Sequence, residues 1–426
     1  MLLRENSMNI NHFIMIKIIL VFLTIFITSA CSQEKSKDLT DENSKEIKQN
    51  KTQIPQTNPD SLIKELTTVL EKNTNDYEAL NNRGLLLYNK GMLREALADF
   101  NKAIEINPNM AEAWNNRAMI YDAMGNNDKA FENYNKAIDL NKKFAEAYFN
   151  RGFLRKRLGQ LKPALNDFNT ATSLNKDFDV AFYQKALTKE LLGNFKDAET
   201  DIDSAIRANP VFIEAYYEKA ALLGMNKKFN EAIIYLNRIT ELDPNFFRAY
   251  ALRAKHKADL NKTDDALADI NKAIEINPNH SDSYFIKAII LSNKKLIDSA
   301  IKCYDIAINL NPKFSSAYYN RGVLYVVKND FKKALENFDK AVKFKPDFLE
   351  AITNRAGMHY KLGQFKQALE DYNAAQKINP NEPIIYISRG LTYIKLNQKN
   401  QACKEFQKAK QLGYEQADNY LKQYCN

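Results

Sequence analysis

Few side chains in this sequence are of the kinds that do chemistry by themselves. Its 426 residues contain four histidines and four cysteines. His256, His280 and His359 are far apart and His12 is near the N-terminus, so the spacing predicts neither a catalytic triad nor a zinc site. The patterns GxxxxGK[ST], HExxH and GxSxG do not occur. The sequence therefore predicts a protein that is not an enzyme and that uses no metal or cofactor.

The first cysteine, Cys31, follows an apolar run. Residues 18–27 are mostly aliphatic or aromatic, and Thr28, Ser29 and Ala30 separate them from Cys31. A membrane span needs about 20 apolar residues, whereas a run of this length suits the core of an export signal. The segment resembles a bacterial lipoprotein signal peptide, although Thr28 stands where that motif usually has an aliphatic residue. The resemblance implies that residues 1–30 are removed, that Cys31 is lipidated, and that the protein is held at a membrane.

Other interpretations of this N-terminal segment remain open. Translation could begin at Met1, Met8 or Met15, and a start at Met15 gives the short basic beginning that such signals usually have. The run could also belong to an uncleaved anchor over residues 13–30, which Lys17 interrupts. By analogy with lipoprotein sorting, Ser32 after the cysteine favours the outer membrane. We therefore expect a lipid-anchored protein of the cell envelope, with the periplasmic or surface side undecided.

Residues 31–59 have the composition of a disordered tether. They are rich in Lys, Asp, Asn, Gln and Ser and contain almost no large apolar side chains. Such a segment cannot bury enough surface to offset its chain entropy. A flexible chain of about 28 residues spans about 30 Å on average. The folded part would then stand roughly one protein diameter from the membrane.

Internal repetition organises the rest of the chain. Seven of the eleven prolines are separated by multiples of 34 residues, and ten units of 34 residues fit residues 77–416 without insertion or deletion. Numbering each unit from 1, position 8 is always Gly or Ala, and position 20 is Ala in all ten units. Position 27 is Ala in nine units, with Ile239 as the exception. A repeat of this length indicates a stack of similar structural units.

The small and aromatic positions predict two helices in each unit. Positions 4, 8 and 11 share one helix face, and positions 20, 24 and 27 share another. Ala113-Trp114, Ala118, Tyr121, Ala130, Tyr134 and Ala137 make a pattern similar to the signature of the tetratricopeptide repeat. That resemblance covers residues 77–416 and implies an all-α fold, a right-handed α-solenoid of about ten tandem helical hairpins.

The two ends of such a stack need capping helices, because each unit buries its apolar face only against neighbouring units. Residues 60–76 are predicted to form an N-terminal capping helix and residues 417–426 a C-terminal one. Cys403 and Cys425 flank the last turn, so antiparallel helices would bring them to similar heights. A disulfide closing about 22 residues would stabilise this end by roughly 3 kcal/mol. Two unlinked thiols remain the alternative.

Position 7 is basic in every unit, which allows two interpretations. A row of cations could bind a polyanion. Position 23 on the second helix, however, is acidic in six units, so the two side chains could pair within one hairpin. The pairing is the interpretation that we favour.

The surface lined by first helices forms the concave groove in proteins that this repeat resembles. Position 5 is expected to face it, with position 9 beside it. An aromatic stripe there would suit an extended peptide or a partner helix, although aromatic residues at helical spacing also pack between helices. The candidate groove residues are Phe149, Phe153, Tyr183, Tyr217, Phe285 and Tyr319.

Charge and composition limit the possible functions. With 45% apolar and 27% charged residues the chain is globular, and its length alone would suggest about three domains. The net charge of +9 permits an anionic partner, but export makes nucleic acid an unlikely one. We predict a membrane-tethered scaffold for protein–protein interactions in the cell envelope, which binds protein or peptide partners and no nucleic acid. The alternative is a regulatory or substrate-recruiting subunit of an envelope enzyme.

Overall fold

The computed structural model describes residues 58–425, which contain 22 α-helices and no strand. The predicted signal peptide, Cys31 and nearly all of the predicted tether lie outside the described residues. Among the described helices, none combines the length and the apolar character that crossing a membrane requires. The described residues divide at Pro244 into two compact units, here called the N-terminal unit and the C-terminal unit.

The N-terminal unit, residues 58–244, begins with a single helix, α1 (Pro59–Lys72), whose N-cap is Asn58. Five helical hairpins follow, and each helix packs against the next along the chain. The hairpins are α2 (Tyr77–Asn89) with α3 (Leu93–Ile106), α4 (Ala111–Ala123) with α5 (Asn127–Leu140), α6 (Ala145–Arg157) with α7 (Leu161–Leu174), α8 (Asp179–Leu191) with α9 (Phe195–Ala208), and α10 (Ile213–Met225) with α11 (Phe229–Leu242).

The C-terminal unit, residues 245–425, consists of five more hairpins and a last helix, α22 (Ala417–Tyr424). Within each unit the stacked hairpins form an α-solenoid, which confirms the predicted fold class. The hairpins are α12 (Phe247–Asp259) with α13 (Thr263–Ile276), α14 (Ser281–Asn293) with α15 (Ile297–Leu310), α16 (Ser315–Val327) with α17 (Phe331–Phe344), α18 (Leu349–Lys361) with α19 (Phe365–Ile378), and α20 (Pro383–Lys395) with α21 (Lys399–Gln411).

The turn inside each hairpin depends on a left-handed residue at position 15. That residue has a φ between 58° and 80° in all ten hairpins. It is glycine in five of them, as at Gly91, and Asn or Lys in the other five, as at Asn329. A left-handed residue ends the first helix and reverses the chain, and glycine adopts this conformation without steric cost.

The core of each hairpin lies where positions 8 and 24 meet. Position 8 is glycine in the four hairpins where position 24 is phenylalanine, and alanine in the six where it is Tyr, Ile or Leu. At Gly322 an added Cβ would lie 2.8 Å from Cε1 of Phe338, whose side chain is fully buried. The phenyl ring thus occupies the volume of the missing methyl group, so the two positions are chosen together.

A disulfide closes the C-terminal end of the chain. Cys403 on α21 and Cys425 after α22 are bonded, with their Cα atoms 5.7 Å apart. The ring of Tyr420 packs against Phe406, with the two centroids 5.4 Å apart. The covalent link therefore supports a small aromatic contact that covers the last hairpin.

Removing both sulfurs tests the contribution of this link. A Cys403→Ser, Cys425→Ser variant is expected to lose roughly 3 kcal/mol of stability at the C-terminal end, because a loop of about 22 residues is no longer closed in the unfolded chain. Hydrogen exchange followed by mass spectrometry should show faster exchange in α22 and unchanged exchange in the N-terminal unit. Equal exchange in α22 of both proteins would mean that packing alone holds this helix.

Candidate functional site

The basic residues at position 7 are paired within the stack. All six acidic residues at position 23 bind the position 7 cation of their own hairpin, with nitrogen to oxygen distances of 2.6 to 2.9 Å. The prediction of pairing is therefore confirmed. The pairs are Arg83–Asp99, Arg151–Asp167, Lys185–Asp201, Arg253–Asp269, Arg355–Asp371 and Arg389–Glu405.

Arg151 shows how such a side chain joins three helices. Its Nε and Nη2 donate to the two carboxylate oxygens of Asp167 on α7, at 3.0 and 2.7 Å. Its Nη1 donates to Oδ1 of Asn135 on α5, in the preceding hairpin, at 2.6 Å. Arg355 makes the same three-way contact with Asp371 and Asp339. These guanidinium groups hold neighbouring hairpins together, which leaves little of this row for a polyanion.

Four of the six predicted groove aromatics are core residues. Phe149, Tyr183, Phe285 and Tyr319 expose only 5 to 8% of their surface. Each ring packs against the phenylalanine at position 34 of its own repeat, with centroids 4.8 to 5.2 Å apart. That phenylalanine precedes the next hairpin and covers position 5. As a correction to the prediction, we assign these four rings to packing between hairpins, because almost no surface is left for a partner.

In the first helices of the first three hairpins, the exposed face is displaced by one residue from the predicted one. In α6, Phe149 and Leu154 are buried, whereas Asn150, Phe153 and Arg157 keep more of their surface. These three residues occupy positions 6, 9 and 13, which are spaced along one helix face. We call positions 6, 9 and 13 of α2, α4 and α6 the groove face. Of the predicted aromatics, Phe153 lies on it, and Tyr217 at position 5 of α10 is half-buried.

Amide side chains on the groove face of α4 and α6 bond to buried asparagines at position 5 of the preceding hairpin. Nδ2 of Asn116 donates to Oδ1 of Asn81 at 2.9 Å, and Nδ2 of Asn150 donates to Oδ1 of Asn115 at 3.1 Å. The half-buried side chains of Met119 and Phe153 lie at position 9 on the same face. We did not predict this alternation of amide and apolar groups, although the asparagines at positions 5 and 6 of the first repeats were its signal.

A charged group lies beside the groove face, at position 12 of α6. The ammonium of Lys156 on α6 donates to Oε1 of Gln184 on α8 at 2.9 Å. Burial lowers the pKa of Lys156 to about 8, while the negative charges of Glu190 and Glu218 act in the opposite direction. The folded protein therefore disfavours the charged form of this lysine relative to water.

The depressed pKa of Lys156 makes the stability of the N-terminal unit depend on pH. Below about pH 8 this lysine is charged in both states, so the full cost of burying it applies, and stability rises as the pH increases from about 8 to 10.5. Lys156→Met is expected to raise the free energy of unfolding by about 2 kcal/mol near neutral pH, a gain that shrinks towards pH 10.

Urea unfolding followed by the fluorescence of Trp114 measures this dependence, because the chain has one tryptophan and it lies in the N-terminal unit. Lys162→Met is the control, since the side chain of Lys162 is exposed. A difference between Lys156→Met and the native protein that stayed constant from pH 7 to pH 10 would contradict a depressed pKa.

No potential metal site is formed within residues 58–425: no group of three or more His, Cys, Asp or Glu side chains is placed to hold an ion. Cys303, the free cysteine of this range, is buried. Burial raises the pKa of its thiol, which disfavours the reactive thiolate.

Family models place the hairpins among known repeats. Models described as tetratricopeptide repeat match residues 77–110 and 315–348, 100–132 and 270–302, 183–245, and 145–178, 247–280 and 384–412. A model described as TPR repeat matches residues 119–159 and 356–397. No curated protein matches the chain. Together, the matched segments span most of residues 77–412.

Solved structures with similar folds come from distant proteins. Yeast Tom70 is 16% identical, with a TM-score of 0.42 over 80% of this chain and 93% of the other. PilF of Pseudomonas aeruginosa is 19% identical, with a TM-score of 0.46 over 50% of this chain and 96% of the other. A repeat protein from Parabacteroides merdae is 20% identical, with a TM-score of 0.42 over 58% of this chain and 99% of the other.

Proposed function

The chain belongs to the tetratricopeptide repeat family, and we propose that it is a membrane-tethered scaffold of the bacterial cell envelope whose groove face binds a segment of another protein. The observation that carries this proposal is the alternation of amide and apolar side chains on the groove face of α2, α4 and α6. A surface of this kind can satisfy the polar main chain of a ligand and contact its side chains at the same time.

The groups on this face suit an extended peptide. Asn116 and Asn150 each donate one amide hydrogen to the preceding hairpin, and Oδ1 of Asn116 accepts from Nδ2 of Asn115 at 3.3 Å. Each amide group keeps a second hydrogen and an oxygen lone pair, which can bond a peptide C=O or N–H. Met119 and Phe153 lie beside them and offer apolar area that is already ordered by the helices. Because the scaffold is folded before binding, little side-chain entropy is lost on complex formation.

Co-purification from detergent-solubilised membranes tests the groove. A Met119→Ser, Phe153→Ser variant is expected to lose the partner that the native protein retains, because it removes apolar contact from the groove face. Leu174→Ser is the matched control, since Leu174 is an exposed apolar residue of the same unit on a second helix. Equal recovery with all three proteins would place the binding surface elsewhere. A stable enzyme in the co-purified material would instead support a regulatory or substrate-recruiting subunit.

We base the proposed membrane tether on the sequence around Cys31, where three small residues follow the apolar run. Cys31→Ala is expected to move the protein from the membrane fraction to the soluble fraction and to change its apparent size, because lipidation and cleavage both depend on the thiol. Membrane fractionation and gel electrophoresis provide the two measurements. A variant that stays membrane-bound at the same apparent size would overturn this part of the proposal.

A further inference from the structure

The positive charge of the protein is concentrated in its C-terminal unit. Residues 245–426 contain 29 Lys and Arg against 19 Asp and Glu, whereas residues 58–244 contain 25 against 27. The net charge of the whole chain is +9, so the N-terminal unit contributes none of the excess. Because both units are built from the same repeat, the packing of the hairpins does not require this asymmetry. A charge difference between halves of a chain suggests that one half meets a charged partner.

Much of this excess lies on the second helices of the last three hairpins. Positions 18, 22, 26 and 29 of α17, α19 and α21 point away from the buried positions 20, 24 and 27, so they share the outer side of each helix. These twelve positions carry two acidic residues, Glu336 and Glu370, and no aromatic one. We call their seven exposed lysines the lysine face: Lys332, Lys340, Lys343, Lys366, Lys377, Lys404 and Lys408.

The lysine face lacks the internal pairing found elsewhere on the protein. Nearby lysines such as Lys328 and Lys410 form ion pairs with Asp298 and Asp418, both at distances below 3 Å. Between residues 58 and 425, no carboxylate pairs with any of the seven lysines of this face. The same positions of α5 hold three acidic residues and one lysine, so the repeat itself does not demand cations there. Lys343 lies over the ring of Phe344, 6.0 Å from its centroid. A group of cations without carboxylate partners on three successive second helices creates a positive surface potential.

We propose that the lysine face is a membrane contact that binds anionic phospholipid headgroups. Lysine is a compact, hydrated point charge, and rows of exposed lysines attract an anionic bilayer without a shaped pocket. The face has no aromatic side chain on which nucleobases could stack, and its twelve positions offer one apolar residue, Ala374, as the centre of a protein interface. The choice of a lipid surface over another polyanion rests on the proposed envelope location.

Such a contact would add to the proposed lipid anchor. A lipid anchor holds one end of the chain at the bilayer, and a polybasic surface adds an electrostatic attraction for anionic headgroups at a second place. The lysine face would bring the C-terminal unit to the bilayer even though the tether begins at the other end of the chain. The groove face lies on first helices and the lysine face on second helices, so the two surfaces share no residue.

Vesicle sedimentation tests the proposal with the chain from Ser32 onwards, so that neither lipidation nor the apolar run of residues 18–27 contributes. Vesicles of phosphatidylglycerol and phosphatidylcholine are compared with vesicles of phosphatidylcholine alone at low and high salt. The test variant carries Lys340→Gln, Lys366→Gln, Lys404→Gln and Lys408→Gln. The control variant removes as many charges from exposed lysines of the N-terminal unit: Lys64→Gln, Lys136→Gln, Lys162→Gln and Lys196→Gln.

The protein is expected to bind the anionic vesicles, to bind the neutral ones much more weakly, and to be released by salt. The test variant should bind roughly tenfold more weakly or worse, while the control variant changes little. Circular dichroism confirms that both variants are folded. Equal binding of the two variants, or no preference for anionic vesicles, would overturn the proposal. So would tighter, salt-resistant binding to duplex DNA that the test variant loses.

The proposed scaffold function has a separate readout. The test variant should still recover the partner that co-purifies through the groove face, because none of its substitutions lies on a first helix. A protein that binds anionic vesicles but recovers no partner would refute the scaffold and leave the lysine face supported. A protein that recovers its partner but does not bind anionic vesicles would refute the membrane contact and leave the scaffold supported.

Discussion

Replacing Asp167 with alanine should lower the free energy of unfolding of the N-terminal unit by about 3–5 kcal/mol. The carboxylate of Asp167 is 4% exposed and holds two cations, with 2.7 Å to Nη2 of Arg151 and 2.8 Å to Nη1 of Arg155. Its removal leaves two largely buried guanidinium groups without a counter-charge. The cost is therefore mainly the desolvation of the groups that remain, and less the loss of the ion pairs themselves.

Urea unfolding followed by Trp114 fluorescence measures this loss. Asp139→Ala is the control, because Asp139 also pairs with a lysine but is 68% exposed, so it should change stability by about 0–1 kcal/mol. The loss of unfolding free energy for Asp167→Asn should lie between the losses for Asp167→Ala and Asp139→Ala. Asparagine already occupies position 23 in two other hairpins, where Asn133 and Asn337 accept a bond from the arginine. A loss no larger for Asp167→Ala than for Asp139→Ala would show that the buried pair does little for stability.

Replacing Phe338 with alanine should cost the C-terminal unit about 3–5 kcal/mol, because the side chain is fully buried and its loss leaves a cavity between two helices. The ring lies against Gly322 and its centroid is 5.8 Å from that of Tyr319. Phe195→Ala makes the same chemical change at a ring that is 44% exposed, so it should cost far less. Thermal unfolding followed by circular dichroism, with hydrogen exchange of α16 and α17, gives the measurement. Equal exchange in both variants would contradict the assigned cavity.

A double-mutant cycle tests the pairing of positions 8 and 24 more sharply. Gly322→Ala alone should destabilise by about 1–3 kcal/mol through overpacking. Combined with Phe338→Ile, it recreates the pair that Ala254 and Ile270 form in α12 and α13. The two changes should therefore couple favourably by at least about 0.5 kcal/mol. If the two changes in unfolding free energy were additive, the residues at positions 8 and 24 would contribute to stability independently.

The periodicity of the sequence was sufficient to predict the hairpins. Small residues at positions 8, 20 and 27 mark helix faces that approach closely, and these are buried, as Ala334 and Ala341 show. Pro163 lies in the first turn of α7, where a proline does not interrupt the hydrogen bonds of a helix. The ion pairs at positions 7 and 23 followed from the same helix phases. Each of these features depends on contacts within one repeat, and the spacing of residues within the repeat predicts those contacts.

The groove was harder to predict because it depends on contacts between repeats. Positions 5 and 6 are adjacent on the helix, so the phase of the small residues does not decide which of them a neighbour covers. In the third repeat, position 5 is the covered one, because Phe178 at the start of the next hairpin packs against the ring of Phe149. The link between Gly322 and Phe338 could have been found from the sequence, because glycine and phenylalanine occur together in four repeats. The sequence could not predict that the lysine face has no carboxylate partners, because this depends on which carboxylates lie near the lysines in the folded protein.

The three-way contacts of the position 7 arginines also constrain how this chain can change over evolutionary time. Arg151 and Arg355 each reach one partner 16 residues ahead and another 16 residues behind. An inserted or deleted stretch between these partners would separate at least one of them from its arginine. Gain or loss of a complete 34-residue unit keeps every such distance. The array can therefore grow or shrink by recombination between repeats, while shifts of a few residues are selected against.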